Sequence, residues 1–344
     1  MKMDSVLIAK IEIPSYSSAG IVNALRNNFK EVHEFNYQNV MYNEGADGMR
    51  RRLMGLCMMH NPDVCFLHIQ TPEPLNMDVI KFLSERTFVV LYTFDVRENI
   101  DWYKKYAPYV GLILFGDMES VESCHKGGIK NVDYLQSSAN FDLYRPLPVG
   151  VVPDKEYGEI VFIGNNFDGT MLAFPLAKQR VEMVNFMHEN FGERFKVYGM
   201  GWPGSRMLSP VEEIAAYHSC KIAITHNNFF RSKYTSDRLW RAMGCGAYTL
   251  SQYYIGYYHD MPLASSQTWG TLASLKERCE MILDNDEFRR QVAKRQNEYV
   301  VKNHNWSVRI SKLKQLILNH GYDKRMENIT GAGATTNNSE RPAV

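Results

Sequence analysis

Short apolar runs alternate with stretches of helical period along the first half of the chain. Residues 6–11, 31–37, 63–69, 87–94, 111–115 and 132–135 read as strands. Helical patterns fill the gaps at 21–29, 47–60, 78–85 and 118–126. Alternation of this kind predicts an α/β domain with a parallel, doubly wound sheet. Ligands of such sheets sit beyond the carboxyl ends of the strands, so the loops at 15–20, 70–74, 95–99 and 116–118 are the expected ligand loops.

The pattern breaks at residues 141–154, where Pro146, Pro148 and Pro153 crowd a segment with no period. This stretch reads as an interdomain linker and hinge. Alternation then resumes, with strands at 159–163, 195–198, 221–225 and 247–250. The intervening and following helices are at 178–190, 210–218 (capped by Ser209), 235–243, 275–283, 287–302 and 306–319. The expected organisation is an N-terminal domain over 1–145, a second domain over 146–325, and a small, polar, disordered tail over 326–344. No repeat of solenoid length is present.

One stretch carries the most chemistry, R-S-K-Y-T-S-D-R-L-W-R-A-M-G-C-G-A-Y-T-L at 231–250. Thr235, Ser236 and Asp237 are helix starters, and Gly244 and Gly246 stop the helix before the next strand. A helix N-terminus offers unpaired N–H groups and partial positive charge. Arg231, Lys233, Arg238 and Arg241 surround it with only Asp237 opposing them, which suits a diphosphate. A solvated cationic helix beside a core strand is the alternative reading.

Composition narrows the classes. A chain of 344 residues with formal net charge +1 gives no global electrostatic case for nucleic-acid binding. No stretch is long and apolar enough to span a membrane, and the N-terminus lacks a signal-peptide layout. Cys57, Cys65, Cys124, Cys220, Cys245 and Cys279 are scattered without C-x-x-C spacing. Reduced thiols, no zinc site and a cytoplasmic location are therefore expected.

The second half resembles the carboxy-terminal domain of GT-B-fold glycosyltransferases, specifically the spore-maturation-protein-like (glycosyl transferases group 1) family. Four segments carry the resemblance: E-I-V-F-I-G-N-N at 159–166 followed by Arg180; F-K-V-Y-G-M-G-W at 195–202; I-A-I-T-H-N-N with S-D-R-L-W-R-A-M-G-C-G-A-Y-T-L at 222–228 and 236–250; and 283–310. Their order and spacing match across roughly 159–318, whereas the first half resembles the family only in pattern. The resemblance implies two facing Rossmann-like domains around a cleft. It implies transfer of a sugar from a nucleotide-diphosphate donor, expected to be UDP-linked, with no cofactor and no obligatory metal. The acceptor is left open: a small molecule, a glycan, a protein or a modified nucleotide in DNA. The family usually has a glutamate where this chain has Arg241, and related retaining enzymes have an acid where it has Lys233. Both changes replace negative charge with positive, leaving open an extra phosphate contact, another donor or a lost activity.

The candidate donor-binding residues are Gly164, Asn165, Arg180, Gly199, Gly201, His226, Asn227, Lys233, Ser236, Arg238 and Arg241. The glycines could equally be turn residues, Arg180 a surface ion pair, and Asn227 a loop-stabilising side chain. Asp95, after the strand at 87–94, is the first candidate for a general base, with a helix cap as its bland role; Asp117 is a weaker alternative. His68 reads as a core histidine, and His304 with Trp306 as a packed helix junction. Tyr253, Tyr254, Tyr257 and Tyr258, with Phe229 and Phe230, could stack on a ligand, although loop packing is the commoner use. Two competing readings remain, a nucleotide-sugar epimerase of the same architecture and a non-catalytic nucleotide- or sugar-binding protein.

Overall fold

The computed structural model describes residues 2–336 except 14–15, 70–73, 94, 97–98, 149, 152–156, 171–173 and 263–266. The chain divides into two compact units, one of residues 1–136 with 307–344, the other of residues 137–306.

The first unit runs β1 (Ser5–Lys10), β2 (Glu12–Ile13), β3 (Tyr16–Ser17), α1 (Ala19–Arg26), β4 (Glu31–Asn36), α2 (Tyr37–His60), β5 (Val64–His68), α3 (Met77–Ser84), β6 (Phe88–Thr93), α4 (Asp101–Tyr106), β7 (Leu112–Phe115), α5 (Met118–Lys126) and β8 (Val132–Tyr134). Six parallel strands lie in the order β4-β1-β5-β6-β7-β8. Every residue of β5, β6 and β7 is buried, as expected of central strands covered by helices on both faces.

The second unit runs β9 (Ile160–Ile163), α6 (Ala177–Phe191), β10 (Phe195–Tyr198), α7 (Pro210–Ser219), β11 (Ile222–Thr225), α8 (Asp237–Gly244), β12 (Tyr248–Gln252), α9 (Tyr257–Asp260), β13 (Thr268–Trp269), α10 (Leu272–Leu283) and α11 (Asp286–Asn303). Its five parallel strands lie in the order β10-β9-β11-β12-β13. Chain order reverses between β9 and β11, whose register pairs Ile222 with Ile160 and Ile224 with Phe162. A crevice therefore opens at the carboxyl ends of these two strands. α12 (Trp306–Asn319) and α13 (Tyr322–Thr336) follow.

Three boundary expectations need correction. Residues from 307 group with the first unit, not the second: Lys314 donates to the Asn28 carbonyl at 2.7 Å and Tyr322 is fully buried beside Phe88. The change of unit at 136–137 precedes the proline-rich segment, because Tyr144 is buried in the second unit's core and Phe141 packs on it. α13 also occupies ten residues or so of the tail expected to be disordered; positions 337–344, like 149 and 152–154 of the linker, lie outside the described residues. Gln70 to Glu73, Ser15, Phe94 and residues 97–98 of the expected strand ends and ligand loops lie outside them too.

All six cysteines are free and buried. Among the described residues no helix is long and apolar enough to cross a membrane, and no group of three or more His, Cys, Asp or Glu is arranged to hold a metal ion.

Candidate active site in the second unit

Arg180 projects from the first turn of α6 into the crevice at the carboxyl ends of β9 and β11. One guanidinium nitrogen donates to the Asn165 carbonyl at 2.9 Å and another to the His226 carbonyl at 2.8 Å. The side chain thus bridges the loops that follow the two strands, and its guanidinium carbon lies 5.6 Å from the Phe162 ring centroid. Arg180 is 5% exposed, and its Nε is buried without a hydrogen-bond partner. Burial, with Arg238 nearby, pulls its ionisation down to about 9. It meets no carboxylate among the described residues. A buried cation without a counter-charge is costly, and an anion in the crevice would satisfy it.

The N-terminus of α8 adds to the same loops. Ser236 is its cap, with Oγ accepting from the Arg238 N–H at 3.4 Å. Asn227 holds the approach to the helix: its Oδ1 accepts from the Ser236 N–H at 3.0 Å and its Nδ2 donates to the Tyr234 carbonyl at 3.3 Å. Its own N–H donates to Gln252 Oε1 at 3.1 Å. Asn227 is therefore a loop organiser, which shapes the site from behind. Arg238 meets no carboxylate among the described residues; one of its guanidinium nitrogens lies 3.5 Å from Ser236 Oγ, and its Nε is buried and unpartnered. His226 is buried, with Nδ1 2.6 Å from the Asn227 carbonyl, and burial and Arg180 push its ionisation down to about 3, so the ring is neutral.

The glycine loops interlock. The Gly164 N–H donates to the Tyr198 carbonyl at 2.8 Å, and the Gly164 carbonyl accepts from Trp202 Nε1 at 2.6 Å. Gly199 has φ +145°, and a Cβ there would lie 2.3 Å from the Gly164 carbonyl oxygen. At Gly201, φ is +80° and a Cβ would come within 2.9 Å of the Asn166 carbonyl oxygen. Asn165 Oδ1 accepts from the Met200 N–H at 3.0 Å. The absence of side chains at 199 and 201 thus answers the close approach of two protein loops, whereas a Cβ at Gly164 would meet the Phe162 ring at 2.8 Å; each glycine has a packing role of its own in this structure.

Arg241 is the clearest correction. It is 7% exposed and bound to Glu213 of α7 at 3.1 Å and to Asp237 at 2.6 Å, with the Tyr144 ring centroid 5.2 Å away. Burial opposes its charge, but Asp237 and Glu213 outweigh that and hold the guanidinium well above its usual range. Its Nη1 and Nη2 serve an internal ion cluster with Glu213 and Asp237. Lys233 lies in the loop before α8 with φ +57°, a left-handed conformation uncommon for lysine. Its N–H donates to the Ile255 carbonyl at 2.6 Å, and its stem crosses Gly256, where a Cβ would meet it at 2.9 Å.

Asp95 belongs to the first unit, just past β6, partly buried, with its N–H 3.3 Å from Thr93 Oγ1. The cap it was expected to form near Glu98 falls on residues outside the described ones; α4 itself starts from Ile100, with Asn99 Oδ1 accepting from the Asp101 N–H at 2.8 Å. Asp117 caps α5 through the Ser120 N–H at 2.8 Å. His68 is fully buried and stacked on Tyr92. Tyr254 and Tyr257 are fully buried core residues. Sequence reading missed Glu213, Trp202 and Gln252, each of which acts across 25 residues or more of chain.

The family described as glycosyl transferase-like has a model that matches residues 179–315. A comparison with curated proteins gives no match. Similar solved structures include a glycosyltransferase from Rickettsia africae, with TM-score 0.60 and 8% identity over 95% of this chain and 100% of that one. HepE from Anabaena, solved with UDP and glucose, gives 0.58 and 10% over 91% of this chain and 98% of that one. The β-glucosyltransferase of phage T4 gives 0.55 and 10% over 91% and 99%. Both units, each a parallel α/β sheet, together have the GT-B fold.

Proposed function

We propose that this chain is a glycosyltransferase that moves a sugar from a nucleoside-diphosphate donor, a UDP-sugar, to a hydroxyl acceptor. The observation that carries the reading is Arg180: a guanidinium buried at the β9–β11 crevice with no carboxylate partner among the described residues, beside Arg238 and the start of α8. Negative charge builds on the departing diphosphate as the glycosidic bond breaks. Donors already oriented there stabilise the transition state more than the ground state. Arg180, Arg238 and the N–H groups at the start of α8 supply that stabilisation, and Lys233 adds positive charge to the loop before it. In this scheme the protein's own cations balance the diphosphate without an added metal.

The matching family model supports the reaction class, and the segments at 159–166, 195–202 and 222–250 support the spore-maturation-protein-like group within it. The uridine assignment is supported by the UDP bound to HepE. Asp95 is our candidate base for the acceptor hydroxyl, and the free thiols fit a cytoplasmic setting. A thermal-shift screen of UDP, GDP, ADP, TDP and CMP, with EDTA and with Mg²⁺, tests the reading. A ligand that binds only the folded state raises its melting temperature. A shift with UDP that EDTA does not remove is expected; no shift with any of the five would overturn the proposal.

A further inference from the structure

A cleft of about 390 Å³ opens in the first unit, at the end of its sheet away from the expected ligand loops. Gly111 and Asn131 lie in its wall, and each immediately precedes a strand, β7 and β8, so the cleft sits at the amino ends of these parallel strands. Its volume falls in the range of small-ligand sites, near the lower end. One side is apolar, formed by Ala107, Pro108 and Val110 between α4 and β7. Asn131 ties that connection down, its Nδ2 donating to the Ala107 carbonyl at 3.0 Å and to the Val110 carbonyl at 2.8 Å. The other side is the corner between α12 and α13, with His320, Lys324 and Arg325.

The positive charge at this corner is not neutralised from within. Arg325 is half-buried. One guanidinium nitrogen donates to the Tyr109 carbonyl and, at 3.4 Å, to the Ser84 carbonyl; Nε and the other terminal nitrogen meet no acceptor among the described residues. Burial lowers its ionisation from the usual range, with no carboxylate near enough to raise it again. Lys324 is exposed and forms no ion pair among the described residues. No aspartate or glutamate lines the cleft, and the carboxylate that a lining side chain meets is Asp133, 3.5 Å from His320 Nε2. The carboxyl end of α12 and the amino end of α13 come together around Gly321, so their dipoles offset and the side chains set the potential. A smaller cleft of the second unit, about 220 Å³ beside Gly246, differs in this respect. Arg289 and Arg290 there lie 3.3 and 3.4 Å from Asp286, and Lys294 lies 3.9 Å from Glu298.

We infer that the first unit's cleft binds a small organic phosphate, with Lys324 and Arg325 on the phosphate and the wall at 107–110 against the carbon skeleton. A guanidinium held from behind by two carbonyls presents its remaining N–H groups to anionic oxygens, and the ammonium adds a compact charge. A phosphate ester carries roughly −1.5 to −2 at pH 7 and balances both cations, whereas a single carboxylate leaves one over. The ligand lies roughly 10–20 Å, the length of β6 and β7, from the loops at the carboxyl ends, and so acts as an effector and not as a substrate. The inference stands independently of the reaction proposed above.

Hydrogen–deuterium exchange of the native chain, with inorganic phosphate, glucose 6-phosphate, succinate or glucose added, locates the site. Both phosphates should slow exchange at 107–111 and 320–328, glucose 6-phosphate at the lower concentration; succinate should act more weakly and glucose not at all. In calorimetry Lys324→Glu, a change at an exposed position, should weaken glucose 6-phosphate at least about tenfold, and Arg180→Met should leave it unchanged. Four results would each overturn the inference: no protection at these segments by either phosphate, succinate as tight as the phosphate ester, native affinity in Lys324→Glu, or loss of binding in Arg180→Met.

Discussion

Replacing Arg180 with methionine separates what this residue does for the fold from what it does for a ligand. Two charge-assisted hydrogen bonds to the Asn165 and His226 carbonyls disappear. At about 1.5–3 kcal/mol each, their loss would destabilise the second unit markedly. The buried cation disappears with them. Its ionisation is displaced to about 9, a displacement worth on the order of 5 kcal/mol against the folded state, and methionine removes that penalty. The two effects are opposite in sign and similar in size. Methionine also fills the slot over Phe162 without branching. The ligand-free variant should therefore unfold within about 2 kcal/mol of the native chain. Affinity for pyrophosphate, in contrast, should fall at least about tenfold. Urea denaturation and calorimetry on the same preparations give both numbers. A stability loss above about 4 kcal/mol with pyrophosphate affinity intact would show Arg180 to be a structural tie between two loops and not part of an anion site.

Two further outcomes follow from the same geometry. Gly199→Ala must place a methyl 2.3 Å from the Gly164 carbonyl oxygen at φ +145°, so the loops must separate. A loss of at least about 2 kcal/mol in urea denaturation is expected, with weaker pyrophosphate binding as the Asn165 carbonyl drifts from Arg180; native-like stability would refute the interlock. His68 is held neutral by burial down to about 3 from an ordinary 6.5. As pH falls below 6.5 the unfolded chain takes up this proton and the folded chain does not, so stability declines through that window. His68→Phe should flatten the decline between about pH 6.5 and 5, above the range where carboxylates titrate; an unchanged slope would place the proton uptake elsewhere.

The sheets were legible because central parallel strands are buried on both faces and read as unbroken apolar runs, as at 88–93 and 112–115. The α8 start was legible for a local reason: Ser236 is a cap and a cap is a sequence signal. Arg241 was not. Its place among the cations around the helix start suggested a phosphate contact, but its partner Glu213 lies 28 residues earlier on another helix. Only the packing of α7 against α8 reveals that its charge is already spent. The return of residues from 307 to the first unit was hidden for a similar cause. The apolar stripe of α12 shows that one face must be buried, without saying against which core.

That return has a consequence for how the molecule is made. The chain passes from the first unit to the second at 136–137 and back at 306–307, so the first unit is interrupted. On the ribosome, all of residues 137–306 emerge before the segment that supplies Tyr322 against Phe88 and Lys314 against Phe29. The unit carrying Arg180 and α8 has its whole sequence in hand first and can mature alone. The earlier-synthesised unit must wait, with those aromatic surfaces uncovered, until the last helices arrive. Synthesis begins with one domain and completes the other.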